Sequence, residues 1–269
     1  MINILKRVLK SIFLHAGYEI HLHKVQPIDN IHKSSLSNLM NRINETGFRP
    51  RTIFDIGVAN GTQDLYKAFP DSHFILIEPL IECLPYLKTL TNTLSNSEYI
   101  LAAATSYSGQ VTIHVHPDIF GSSFYLEDED SDVNGVERLV PTVTISDICN
   151  KKRTNGPYLL KVDTQGSELE VIKGAGAILS ETEMVILETS LFKFFKGGPE
   201  FHDVITFMKK LGFVVYDIFN LQYRLLDGAM SQVDVAFVKE KGMFRKDHRY
   251  ATQEQRSLQN KTFINSLKS

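Results

Sequence analysis

The chain has 269 residues, 43% hydrophobic and 22% charged. That ordinary globular balance excludes wholesale disorder and lets a core bury roughly 75% of the unfolded surface. With 29 Lys and Arg against 31 Asp and Glu the net charge is −2, which offers no basic footprint for nucleic acid. Cys83 and Cys149, the two cysteines, form no CxxC pair. They argue against a disulfide framework or a cysteine zinc site and fit a reducing compartment.

In chain order, Leu5, Val8, Leu9, Ile12, Phe13 and Ala16 repeat at i, i+3, i+4, with Lys6, Arg7, Lys10 and His15 largely opposite. The spacing predicts an amphipathic helix. It would dock on the main domain or on a second copy of the chain, or lie on an anionic membrane surface. The segment lacks the clean apolar stretch and cleavage site of a signal peptide. No apolar run approaches the ~18 residues of a membrane span. The expectation is a cytoplasmic protein with no integral membrane association, divided into a helical extension (1–47), one catalytic domain (48–240) and a basic tail (241–269).

From residue 51 strands and helices alternate. A buried strand over 51–58 ends in a glycine turn, and a short helix over 63–69 follows. Next come a strand at 73–78, a helix at 81–94 and a strand at 99–104. Residues 110–116 alternate apolar and polar, as a half-buried strand does. The acidic stretch 127–132 reads as a solvated loop, 140–145 as extended and 147–152 as a brief helix. Then follow a strand at 158–163, a helix at 168–179, a strand at 184–191 and a helix at 201–211. Two antiparallel strands, 213–218 and 233–239, close the pattern. Helices of this length between apolar strands imply parallel βαβ units with both sheet faces covered. Residues 239–269 carry eight Lys or Arg against three acids and read as a solvated, partly irregular tail.

The strongest chemical signal is Asp55-Ile56-Gly57-Val58-Ala59-Asn60-Gly61-Thr62, a buried strand running into a glycine turn and a helix start. Glycines at 57 and 61 permit a tight turn and a close ligand approach. Glu78 ends the next strand, where an acid can accept from both hydroxyls of a ribose. A dinucleotide fingerprint wants G-x-G-x-x-G and a phosphate loop wants G-K-[ST], and neither is present. D-x-G-x-A-x-G followed by an acid suits S-adenosylmethionine better than a nicotinamide cofactor.

These motifs resemble those of FkbM-type S-adenosylmethionine-dependent methyltransferases, from about residue 52 to 239. DIGVANGT at 55–62 resembles the family's first motif, with its asparagine one position late at Asn60. IEP at 77–79 resembles the second, without its second proline. Residues 102–109 resemble the third-strand corner beside the adenine. LKVDTQGSELEVIKGA at 160–175 is similar to L-K-x-D-x-[EQ]-G-x-E-x-x-x-[LI]-K-G-A. The resemblance implies an α/β fold, a doubly wound, seven-stranded, mostly parallel Rossmann-like sheet. It also implies methyl transfer to a hydroxyl, often of a sugar, glycan or natural product. The cofactor site would comprise Asp55, Gly57, Asn60, Gly61, Thr62, Glu78, Ala104 and Asp163.

The residues support a second site independently. Asp163 and Glu188 end strands, and ligands of open α/β sheets bind beyond the carboxyl ends of strands. Glu168 opens a helix, where the dipole favours an acid. Asp163 is expected at the centre, with Glu188 or Glu168 as the base that takes the acceptor's proton. An ordinary helix-start or strand-end acid is the plainer reading of the last two. The loop 120–125, with Ser122, Ser123 and Tyr125, resembles the family's acceptor loop. His114 and His116 share a strand face and could bind a metal, though solvent-side residues look the same, and the chemistry requires no metal. Residues 192–198, aromatics beside glycines, form either a mobile lid or a simple connection. The rival readings are a nicotinamide-dependent oxidoreductase on a related sheet and a non-catalytic binding module.

Overall fold

The computed structural model describes residues 35–127 and 132–266. These residues divide into two units, one ending at His248 and one beginning at Arg249. The amphipathic segment 5–16 and most of the acidic loop lie outside the described residues.

The larger unit opens with α1 (Leu36–Glu45), started by the Ser35 hydroxyl accepting from the Asn38 N–H. β1 (Thr52–Ile56), α2 (Gln63–Ala68), β2 (His73–Glu78), α3 (Leu84–Thr93) and β3 (Ser97–Leu101) follow, then β4 (Ala103–Ala104), β5 (Gly109–Val115) and β6 (Val136–Val143). The rest is α4 (Ile145–Lys152), β7 (Tyr158–Val162), α5 (Glu168–Ala175), β8 (Thr182–Ser190), α6 (Phe201–Lys210), β9 (Phe213–Tyr223) and β10 (Met230–Lys239).

Seven strands form the main sheet in the order β3-β2-β1-β7-β8-β10-β9. β10 is antiparallel to both of its neighbours, and the other pairings are parallel. This is the doubly wound, mostly parallel sheet that was expected. Side chains alternate between faces along each strand. On one face Phe54, Ile75, Ile77, Leu160, Val185 and Phe237 pack with Ile148 of α4, Val171 of α5 and Met208 of α6. On the other, Ile53, Phe74, Leu159, Ile186 and Ala236 pack with Met40 of α1, Leu65 of α2 and Leu87 of α3.

The larger unit exceeds the span read from sequence at both ends. α1 falls within the segment assigned to the extension, yet its Leu39, Met40 and Ile43 are core residues. Phe244 stacks edge-on against Phe48 at 5.3 Å, so the core continues beyond residue 240. The second unit contains α7 (Gln253–Ser266), a helix where an irregular tail was expected. Its start is fixed by a reciprocal cap. The Thr252 hydroxyl accepts from the Gln255 N–H, and the Gln255 side chain accepts from the Thr252 N–H, in the manner of a capping box.

A three-stranded sheet, β4-β6-β5, pairs the half-buried strand expected at 110–116 with the end of the strand expected at 99–104 and a stretch read only as extended at 140–145. Ala103, Ile113, Val115 and Val140 pack with Leu80 and Cys83 into a third, smaller core. That core walls one side of the cleft described next. No helix among the described residues is long and apolar enough to cross a membrane.

Candidate active site

Chain order reverses in the main sheet between β1 and β7, and open α/β sheets bind ligands beyond the strand ends at such a point. A cleft of about 790 Å³, its open mouth included, lies there. Gly57 after β1, Glu78 ending β2, Asp163 after β7 and Glu188 of β8 all line it. Ala103 and Ala104 of β4, Ile113 of β5 and the loop residues Ile119, Phe120, Ser122 and Phe124 form the opposite wall.

Glu78 is 4% exposed. One of its oxygens accepts from the Ala59 N–H and the other from the Leu80 N–H, each at 3.0 Å. A carboxylate oxygen has two acceptor positions, so each retains one. Burial pushes the Glu78 carboxyl above the usual range.

Asp163 accepts from the Lys161 ammonium at 3.0 Å and from the Gln165 amide at 3.3 Å. Lys161 also stands 3.9 Å from Asp55. Burial draws the lysine down, but the two carboxylates outweigh it and hold its charge. Asp55 itself is fully buried and accepts from the Tyr66 hydroxyl. Strand parity turns it to the α2 face, so it braces the cleft through Lys161 and does not line it.

Glu188 is 8% exposed and is held by three carboxamides. Gln165 and Gln232 donate to one oxygen at 2.8 and 3.1 Å, and Gln222 donates to the other at 3.0 Å. Burial first, then the charges of Asp163, Glu168 and Asp234, push it up to about 9.

The remaining expected residues are placed differently. Glu168 does not line the cleft. One of its oxygens accepts from the N–H groups of Thr164 and Gly166, at 3.0 and 3.1 Å, and from the Thr164 hydroxyl. It organises the loop before α5, and burial raises it to about 7. Asn60, Gly61 and Thr62 carry the turn into α2 away from the cleft lining. Ser122 lines the cleft, and so does Ser123, whose hydroxyl is committed to the Gln165 carbonyl and the Tyr125 N–H. Tyr125 does not line it.

The glycines of the first motif have a packing reason beside the expected turn. A β-carbon on Gly57 (φ +73°) would meet the Asp163 carbonyl oxygen, and one on Gly61 (φ +100°) would meet Leu90 of α3. Both positive φ values agree with the expected tight turn, and Gly57 also lines the cleft.

The Phe195 ring is buried against Gly166, and the Lys196 N–H bonds to the Leu126 carbonyl. These contacts favour a connection over a lid for 192–198. His114 pairs through its backbone with Ser123, and the His116 ring lies 2.6 Å from Asp118. Among the described residues no group of three or more His, Cys, Asp or Glu is placed to hold a metal.

Sequence reasoning missed Gln165, Lys161, Gln222, Gln232 and Asp234. Gln165 and Lys161 stand inside the 160–175 motif. Gln165 is a non-glycine residue at φ +51°, the kind of backbone strain that concentrates at functional sites.

The fold and cleft are those of a Rossmann-like methyltransferase. The model of the methyltransferase FkbM domain matches residues 55–215, and the chain belongs to that family. Among solved structures it is similar to methyltransferase FkbM from Methylobacillus flagellatus KT, at 17% identity and TM-score 0.42. That match covers 69% of this chain and 43% of the other, so this chain spans less than half of that protein's length. It is also similar to N-methyltransferase NodS from Bradyrhizobium japonicum WM9, at 10% identity and TM-score 0.43, covering 76% and 93% of the two chains. The M. jannaschii TYW2 structure in complex with AdoMet matches at 13% identity and TM-score 0.37, covering 79% and 80%. A search of curated proteins found no match.

Proposed function

We propose that the chain transfers a methyl group from S-adenosylmethionine to a hydroxyl oxygen, on a sugar, a glycan or a glycosylated metabolite. The observation that carries this reading is the convergence of Glu78, Asp163 and Glu188 on one cleft at the switch point of the sheet.

The residues present fit the methyl donor. Glu78 keeps one free acceptor position on each oxygen, which matches the two hydroxyls of a ribose. Ile77, Leu80, Ala103 and Ala104 give a narrow apolar slot for an adenine. Asp163 presents a partly exposed carboxylate between those residues and Glu188, placed for the donor's ammonium or for the acceptor. When bound, the donor supplies an electrophilic methyl on a sulfonium.

The chain's own residues do the rest. The cleft holds the acceptor oxygen in line, and positioning of this kind supplies ~7–11 kcal/mol of a barrier. Glu188, once ionised, takes the hydroxyl proton, a contribution of typically ~10²–10⁴-fold.

The test is thermal unfolding of the full chain with S-adenosylhomocysteine and, separately, with NAD and NADH. A ligand at ~100 times its dissociation constant adds ~2.7 kcal/mol, a rise of roughly 5–10 °C at this size. A rise with S-adenosylhomocysteine alone is expected. A rise only with a nicotinamide cofactor would replace the reading, and no rise with any of them would remove the donor site.

A further inference from the structure

Between β8 and the edge of the main sheet, carboxylates and carboxamides form a shelf running outward from Glu188. We propose that Asn220, Gln222, Gln232 and Asp234, beside Glu188, are the acceptor subsite, and that it takes a neutral, hydroxyl-rich molecule such as a sugar ring. The inference rests on the methyltransferase reading. It moves the acceptor side from the loop 120–125 to the β9–β10 hairpin.

The strand register builds this shelf. Glu188 lies opposite Asp234, and Asp234 opposite Phe219. The next rung runs Ser190, Gln232, Gln222. Residues opposite one another share a face, so both rungs face the same way. Between the rungs β10 advances from Asp234 to Gln232, whereas β9 runs from Phe219 to Gln222 and so carries one extra residue. Asn220 takes up the excess at φ +50°. Regular alternation would set Leu221 on the face of Phe219, but the bulge sets Gln222 there instead. Bulges re-aim side chains in this way and are frequent beside active sites.

The chemistry of the shelf selects its ligand. Gln222 and Gln232 each spend one N–H on Glu188, and Asn220 spends one on Asp234 at 2.7 Å. Among the described residues, the carbonyl oxygens of these three amides accept no hydrogen bond. Each amide thus offers an acceptor beside its remaining N–H, and a hydroxyl group is itself both donor and acceptor. Lys161 is committed to Asp163 and Asp55. No Lys or Arg of the described residues forms an ion pair with Glu188 or Asp234, so the shelf itself presents acids and amides, which disfavour a phosphate or carboxylate. Asn220 and Gln222 are exposed while Glu188 is buried, which gives an approach from solvent to the inner carboxylate.

Saturation-transfer difference NMR on the full chain, with S-adenosylhomocysteine present, tests this. The probes are neutral methyl hexosides and 6-deoxyhexosides, set against hexosamines and hexose phosphates. Neutral glycosides are expected to give signals, weakened about fivefold or more by Gln222→Ala, the scale of one lost hydrogen bond. Asn220→Gly keeps a residue that tolerates positive φ and removes only the amide, so it should weaken them too. The thermal shift with S-adenosylhomocysteine should persist in both variants. Absence of any glycoside signal, preference for hexosamines or phosphates, or full signals in both variants would each overturn the proposal. Glycoside binding by a wild-type chain that ignores S-adenosylhomocysteine would instead break the methyltransferase reading and leave the subsite standing.

Discussion

Gly57 and Asp163 meet backbone to backbone: a β-carbon on Gly57 would stand 1.7 Å from the Asp163 carbonyl oxygen. The two residues leave neighbouring parallel strands at the point where the sheet changes direction. The Gly57 N–H donates to the Ile77 carbonyl and the Asp163 N–H to the Ile56 carbonyl. The turn after β1 and the aspartate after β7 are therefore held as one piece.

Gly57→Ala should destabilise the protein by ~3 kcal/mol or more, since the obstacle is backbone and the positive φ adds strain. Gly61→Ala meets only side-chain atoms, Leu90 at 2.9 Å and Gln63 at 3.3 Å, and should cost ~1–2 kcal/mol, mainly for its φ. Urea unfolding of the two variants reads the difference. A reversed order would show that Gly57 is kept for the ligand after all.

Glu168 offers a clean separation of structure from catalysis. Glu168→Ala leaves the half-buried N–H groups of Thr164 and Gly166 without their acceptor, at ~1–3 kcal/mol. Glu168→Gln retains an amide oxygen that can accept from both. The alanine variant should lose melting temperature and turnover together, and the glutamine variant should recover most of each. If Glu168→Gln were as stable as wild type but without turnover, Glu168 and not Glu188 would be the base.

Glu188 sets a pH dependence of defined sign. Its folded-state value near 9 lies above the 4.5 of an ordinary glutamate. Between those values the native state keeps a proton that the unfolded chain releases. Its stabilising contribution is complete below about 4.5 and is lost as pH rises through about 9. Glu168 and Asp234, raised to about 7 and about 6, tilt the curve the same way. Glu188→Gln cannot ionise, so its melting temperature should gain on that of wild type as pH climbs toward 9. Wild-type turnover should rise over the same range, and Glu188→Gln should lose that limb. Melting curves and rates measured across pH would reject the assignment if the two proteins ran parallel.

The sheet was readable because its central strands are apolar runs buried on both faces, and the acids ending β2, following β7 and within β8 were readable because those runs stop at Glu78, Asp163 and Glu188. The cleft wall was less so. The strand β6 continues through Pro141 and carries exposed Val136 and Leu139, so its pattern does not show which face is buried. The turn at Gly57 was legible, but the backbone obstacle to a side chain there was not, because it comes from a segment distant in sequence. The amide shelf was hidden altogether. Gln222 counts as an ordinary polar residue until one extra residue in β9 turns it toward Glu188 beside Gln232, and a bulge leaves little trace in hydrophobic alternation.

That extra residue bears on the sheet's outer margin as well. β9 is the terminal strand, 11 residues long, and a straight strand of that length would offer a row of free backbone groups to any passing chain. The left-handed Asn220 and the shifts of register along β9 and β10 interrupt that row. The irregularity that aims a carboxamide at Glu188 therefore also makes this border a poor template for aggregation.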